Sequence, residues 1–209
     1  MVLSGREIAG RLDPSSAGDR RIHFLPLGEL QVDADAASVD VHLGREFLCP
    51  RRTSAGYLDP AGSDIDNIPF RSMGAVGPEA WRDILEHVCV PLSGEFILHP
   101  GQFALASVYE FLKLPLDLCA DVVGRSSWAR VGLIIAMATF VHPGYAGCLT
   151  LELQNLGEVP LRLQPGLRVA QIIFRAVGEV RHQPASQLAC SYRPEYWPVV
   201  SGADQGLLR

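Results

Sequence analysis

The stretch His142-Pro143-Gly144-Tyr145-Ala146-Gly147-Cys148-Leu149-Thr150-Leu151-Glu152-Leu153-Gln154-Asn155 reads as a turn running into a strand. Proline presets φ for the first corner of a turn, and glycine takes backbone conformations that other residues resist. Leu149, Leu151 and Leu153 then alternate with Thr150, Glu152 and Gln154. That period of two marks a half-buried strand, with Glu152 on its polar face. The same pattern recurs in both directions. Val159 to Leu163, the turn Gln164-Pro165-Gly166 and Leu167 to Phe174 give two further strands. Upstream, Phe96 to Val108 reads as two strands around Pro100-Gly101, and Ala37 to Gly44 alternates small or apolar with polar residues before ending at glycine. Short strands separated by Gly/Pro turns predict a mainly β protein, a sandwich or distorted barrel with few helices.

Two helices are expected. Ser4 followed three residues later by Glu7 forms a capping-box pattern that opens a short helix through about Arg11. Pro78 to Val88 reads as another short helix. Residues 50–75, rich in Pro, Gly, Ser and Asp, read as a long surface excursion. Beyond Val177 the chain holds Pro184, Pro194 and Pro198 beside Tyr192, Tyr196 and Trp197, too aromatic for a plain disordered tail.

A chain of 209 residues suits one domain with a substantial core. The net charge of −5 argues against a general nucleic-acid or anionic-membrane binder, so a polyanionic ligand would need local arginines. The five cysteines are scattered and form no C-x-x-C pair, which argues against a disulfide framework or cysteine-rich zinc site. The N-terminal residues lack a signal-peptide apolar region and no run is long enough to span a bilayer. A soluble, cytoplasmic protein is expected.

Between the apolar segments Leu114 to Val123 and Val131 to Met137 lies Gly124-Arg125-Ser126-Ser127-Trp128-Ala129-Arg130. Glycine allows a turn whose N–H groups face one way, and arginine adds a planar fork suited to phosphate or carboxylate. A helical turn after Ser126 would place Ser126 and Arg130 at i and i+4 on one face. The plainer reading is a serine-capped turn with solvated arginines. Glu152 is either a solvated carboxylate or a general base for water. Glu110, Asp117 and Glu158 lie near turns and read as surface groups. His142 reads as structural, and Tyr145 either packs against a sugar or anchors its turn. The zinc-deaminase signature, H-E-x-x-H, the P-loop and the G-x-S-x-G elbow are all missing.

Gly124 to Ile135, followed by His142 to Asn155, resembles the dCTP deaminase family of the dUTPase-like superfamily. The resemblance extends through Ala37 to Gly44, Leu98 to Ala106, Leu114 to Leu118 and Pro165 to Phe174, in order. It implies a distorted β-barrel over residues 1–175, with an excursion around 50–90 and a tail, 176–209, that closes over an active site. It also implies a homotrimer with sites between subunits, zinc-free deamination of dCTP to dUTP, and Mg²⁺ accompanying the triphosphate. By motif position Glu152 matches the general base, while Ser126 and Arg130 match the pair orienting and polarising the reacting carbon. Arg125, Ser126 and Ser127 match the triphosphate loop, and Gln171 a nucleotide-contacting glutamine. His142 and Tyr145 fall on the substrate-facing turn.

Four departures stand out. Ala136 replaces the family's usual histidine, the hairpin from Gly132 to Pro143 is one residue shorter than usual, His142 replaces an aspartate, and the tail lacks the usual glycine-rich, lysine-containing pattern. They keep alternative readings open: a modified-pyrimidine nucleotide deaminase, a dUTP diphosphohydrolase, or a catalytically silent nucleotide-binding homologue. Loss of the aspartate argues against dUTP hydrolysis, since Glu152 remains while the hydrolytic carboxylate does not.

Overall fold

A computed structural model describes residues 1–13, 20–26, 32–52, 57–58, 75–76, 85–135 and 140–178. Helix α1 (Gly5–Leu12) starts as its sequence predicts. Ser4 Oγ accepts the Glu7 N–H, and the Glu7 carboxylate accepts from the Ser4 N–H at 2.7 Å. These bonds hold the exposed Glu7 carboxyl below its ordinary range. The last turn of α1 is fastened to the body by Arg11, which reaches Asp117 with two bonds of 3.2 and 2.8 Å. Asp117 is therefore a fastener and not the solvated surface group its position suggested.

Among the described residues the remaining named elements are strands, apart from one helical turn. They are β1 (His23–Leu25), β2 (Val39–Pro50), β3 (Tyr57–Leu58), β4 (Ala75–Val76), β5 (Leu85–Cys89), β6 (Phe96–Leu98) and β7 (Phe103–Lys113). There follow β8 (Leu118–Gly124), α2 (Ser126–Ala129), β9 (Leu133–Ile135), β10 (Phe140–Val141), β11 (Ala146–Asn155), β12 (Leu161–Leu163) and β13 (Arg168–Ala176). The fold is mainly β, as expected. A nine-stranded antiparallel sheet runs β10-β8-β13-β2-β7-β11-β9, with β1 on β7 and β5 on β2. Separate pairs are formed by β12 with β6, and by β3 with β4 in parallel. The strands on either side of Pro100-Gly101 thus part company: β6 joins β12, while β7 enters the large sheet between β2 and β11.

Strand β2 organises the sheet by changing partners halfway. Its first residues pair with β13, and Glu46 to Pro50 pair with β5, while β7 lies along its other edge. Gly44 sits where the register with β7 shifts. A Cβ there would lie 2.6 Å from Ser107 Oγ and 2.8 Å from the Ser107 carbonyl, so only glycine permits this approach. This partner change also explains a correction. Leu85 to Val88, expected at the end of a helix, are strand, because the second half of β2 has a row of backbone groups to pair. The rest of that expected helix, most of the 50–75 excursion and the tail beyond 178 lie outside the described residues.

The core fills the space enclosed by the curled sheet. Phe47, Phe174, Leu43, Leu98, Leu118, Leu133 and Leu151 are almost wholly buried. Phe47 and Phe96 stack with centroids 4.2 Å apart, which stabilises by about 0.5–1.5 kcal/mol beyond area burial. Buried Asn155 closes the end of β11, donating to the carbonyls of Leu98 and Val159 and accepting the Gly157 N–H, each at 2.9 Å. On β11, Leu149, Leu151 and Leu153 are buried and Thr150, Glu152 and Gln154 half-buried, the alternation predicted from sequence.

Candidate functional site

The loop from Gly124 to Arg130 connects β8 to β9 through α2. Its leading glycine is not the turning point, since Gly124 belongs to a strand and lacks a positive φ. Gly132, at φ +93°, takes that role at the far end, where a Cβ would sit 2.5 Å from the Gly157 nitrogen. The Arg125 N–H is already given to the Val169 carbonyl at 3.1 Å, so it adds nothing to an anion-binding concavity. The Arg125 carbonyl accepts the N–H groups of Trp128 and Ala129, and the Arg130 N–H reaches the Ser126 carbonyl at 3.1 Å. Ser126 and Arg130 therefore stand at i and i+4 on one helical turn. The N-cap is Arg125, with no side-chain cap bond, so the serine-capped turn does not form, and Ser126 and Ser127 are both exposed. Trp128 fastens the turn to β13: its Nε1–H donates to the Arg168 carbonyl at 2.8 Å.

This loop forms one side of an open cavity of about 1000 Å³. Arg125, Ser126, Ser127 and Gln171, singled out from the sequence, all line it. The polar face of β2 lines it as well. Ser38 precedes the strand, and Asp40 and His42 lie on it, all three facing the cavity at a spacing of two while Val39, Val41 and Leu43 enter the core. Each of these polar residues has a defined partner. Ser38 Oγ donates to Gln171 Oε1 at 3.0 Å. Asp40 Oδ2 pairs with Arg125 Nη1 and lies 3.5 Å from Arg168 Nη1. Buried Glu110, from β7, accepts the His42 N–H at 3.0 Å and pairs with His42 Nδ1.

Glu110 is thus a correction. Its sequence position suggested a surface group, but it is 3% exposed in the cavity wall, and His42 supplies the polar contacts such burial requires. Asp40, His42, Glu110 and Arg168 were not assigned to the site from sequence. The alternation from Ala37 to Gly44 carried the signal for Asp40 and His42, because it set them on one polar face. Nothing local pointed to Glu110 or Arg168.

The other expected site residues do not line this cavity. Glu152 is half-buried on β11 opposite Leu105, and among the described residues nothing hydrogen-bonds or ion-pairs with its carboxylate. Arg130 is exposed at the end of α2. His142 is exposed and meets the Phe140 ring edge-on, with centroids 4.8 Å apart. Tyr145 is not an open platform for a sugar. It is 8% exposed, its hydroxyl donates to the Cys148 carbonyl at 2.9 Å, and its own carbonyl accepts the Leu114 N–H, so it anchors its turn. Ala136 lies outside the described residues. No group of three His, Cys, Asp or Glu side chains among the described residues is placed to hold a metal ion. Cys49, Cys89, Cys119 and Cys148 are free thiols. No helix among the described residues is long and apolar enough to cross a membrane.

A family model described as dCTP deaminase-like matches residues 2–177. A dCTP deaminase of Halorubrum lacusprofundi is 39% identical over 185 residues, covering 88% of this chain and 81% of its own. A Halobacterium salinarum protein named dCTP deaminase, dUMP-forming, is 37% identical over 203 residues, covering 96% of this chain and 94% of its own. Among solved structures, the 2′-deoxycytidine 5′-triphosphate deaminase of Agrobacterium tumefaciens matches with a TM-score of 0.56 at 24% identity. That match covers 84% of this chain and 48% of the other, and it is a likeness of fold.

Proposed function

The chain belongs to the dCTP deaminase-like family, and from that premise we propose that it deaminates dCTP hydrolytically to dUTP and ammonia. The observation that carries the reading is the division of the expected site residues. Arg125, Ser126, Ser127 and Gln171 gather on one cavity, while Glu152 stands elsewhere with a carboxylate that nothing among the described residues engages. A site assembled between subunits of a homotrimer accounts for this, one subunit supplying the loop and its neighbour the carboxylate. Exposed apolar side chains around the loop, Val123, Val131, Phe140 and Leu156, support such an interface.

In this reading the triphosphate, with Mg²⁺ carried on its oxygens, lies against Arg125 and the hydroxyls of Ser126 and Ser127. Glu152 takes a proton from water, and the resulting hydroxide attacks C4 of cytosine. Arg130 and Ser126 stabilise the charge that develops on the ring. The proton returns to the departing amine, which leaves as ammonia without a zinc ion. Residues 1–175 form the nucleotide-handling domain, and residues 176–209 close over the site. His142 lies toward the sugar, and the protein works in the cytoplasm.

Incubation of the purified protein with dCTP and Mg²⁺, measuring ammonia and pyrophosphate together, tests the proposal. Ammonia and dUTP are expected from wild type. Glu152→Gln is expected to lower turnover by at least a thousand-fold, roughly the upper range for loss of a general base, while still binding dCTP. A folded wild type that binds dCTP and releases no ammonia sinks the reading. Pyrophosphate appearing with ammonia would extend it to dUMP formation.

A further inference from the structure

Away from the cavity, basic side chains gather at one end of the β1–β7 pair. His23 lies opposite Lys113 in that ladder, and Arg21 stands two residues before His23. Lys113, the chain's single lysine, is exposed, while Arg21 and His23 are half-buried. None of the three lines the cavity. The chain carries a net charge of −5, so a cluster of this sign runs against its overall balance. Like charges opposite one another in a ladder repel, and among the described residues no carboxylate pairs with these three side chains. Asp117 is taken up by Arg11 of α1, with Arg20 3.6 Å from it, and Glu110 by His42. On the other side of β7, Lys113 meets Ala146 of β11, which brings no charge. Two further features mark the place as unsatisfied. Arg21 Nε is buried without a hydrogen-bond partner, a cost that native structures rarely carry without an ion or water to relieve it. Burial, and behind it the charges of Arg21 and Lys113, hold the His23 imidazole below its ordinary pKa.

We propose that Arg21, His23 and Lys113 form an accessory anion site, separate from the cavity, for a tetrahedral oxyanion of the phosphate type. A guanidinium fork, an ammonium and an imidazole N–H bring donors from three side chains. A tetrahedral group with several oxygens meets such a set better than a two-oxygen carboxylate does. A bound dianion screens the like charges from one another, offers the Arg21 guanidinium an acceptor and lets His23 hold its proton. The site stands whether or not the chain deaminates dCTP.

Imidazole NMR of the full chain at constant ionic strength tests the site, with the H23Q spectrum identifying the His23 signal. Sodium sulfate is the first probe, because it stays a dianion while histidine titrates. Sulfate is expected to raise the His23 pKa and to bind about ten-fold more tightly to the protonated imidazole than to the neutral one. Sodium chloride at the same ionic strength leaves that pKa in place. K113Q is expected to weaken sulfate by about five-fold and R21Q by about ten-fold, the scale of one charge-assisted hydrogen bond. With no anion present, K113Q raises the His23 pKa, since one repelling charge is gone. Inorganic phosphate and dCMP then identify the source. A His23 response to phosphate alone assigns the site to a free anion, and a response to dCMP at lower concentration, lost in K113Q, assigns it to a nucleotide phosphate; either supports the site. Equal responses to sulfate and chloride, sulfate binding unchanged in K113Q, or a His23 pKa indifferent to K113Q would each overturn it. K113Q alters an exposed side chain, so this arm holds even if R21Q melts early.

Discussion

Replacing Trp128 with Phe tests whether the helical turn bearing Ser126 and Arg130 must be held against β13. The change keeps an aromatic ring packed on the core and deletes one hydrogen bond, from Nε1–H to the Arg168 carbonyl at 2.8 Å. That bond lies on the solvent side, so water replaces part of it, and its loss costs about 0.5–1 kcal/mol. The main-chain bond from the Arg125 N–H to the Val169 carbonyl remains, so the loop loosens without detaching. If ligand binding must restore the ordered turn, the same energy appears as an increase of about two- to five-fold in KM for dCTP. The melting temperature should fall by no more than about 2–4 °C, the shift that 1 kcal/mol produces in a chain of this size. Steady-state ammonia release over a range of dCTP concentrations measures both constants. A W128F enzyme with unchanged KM, or one losing more than about ten-fold in kcat with KM intact, would refute the positioning argument.

Two other outcomes concern the framework. Asn155→Leu removes a buried amide that satisfies three backbone groups, the carbonyls of Leu98 and Val159 and the Gly157 N–H. Leaving them unpaired should cost about 3 kcal/mol in chemical denaturation, and a loss below about 1 kcal/mol would show that water replaces the amide. Burial pushes the Cys49 thiol up to about 11, with the Glu86 carboxylate adding to the effect. The folded state therefore disfavours the thiolate, and stability present below about pH 9 is lost as the pH rises toward 11. Wild type should lose more stability than Cys49→Ala between pH 8 and about 10.5, and parallel curves would place the alkaline sensitivity elsewhere.

Local spacing in the sequence determined much of this protein. The capping box of Ser4 and Glu7, the alternation of Leu149, Leu151 and Leu153, and the i, i+4 relation of Ser126 and Arg130 are short-range relations, and all of them formed. The ordered motifs also carried the family, which the matched residues 2–177 bear out. Tertiary structure decided who faces whom. Leu85 to Val88 became a strand because β2 offers an edge, an outcome that local helix propensity cannot register. Glu110 pairs with His42 across 68 residues and Arg125 with Asp40 across 85, partnerships created by the lateral order of β7, β2, β13 and β8. A residue's own neighbours set the face of the strand on which it lies. Which strand comes to lie beside that face depends on how the whole sheet closes over its core, and that closure made Asp40 and Arg168 neighbours of the loop at Arg125.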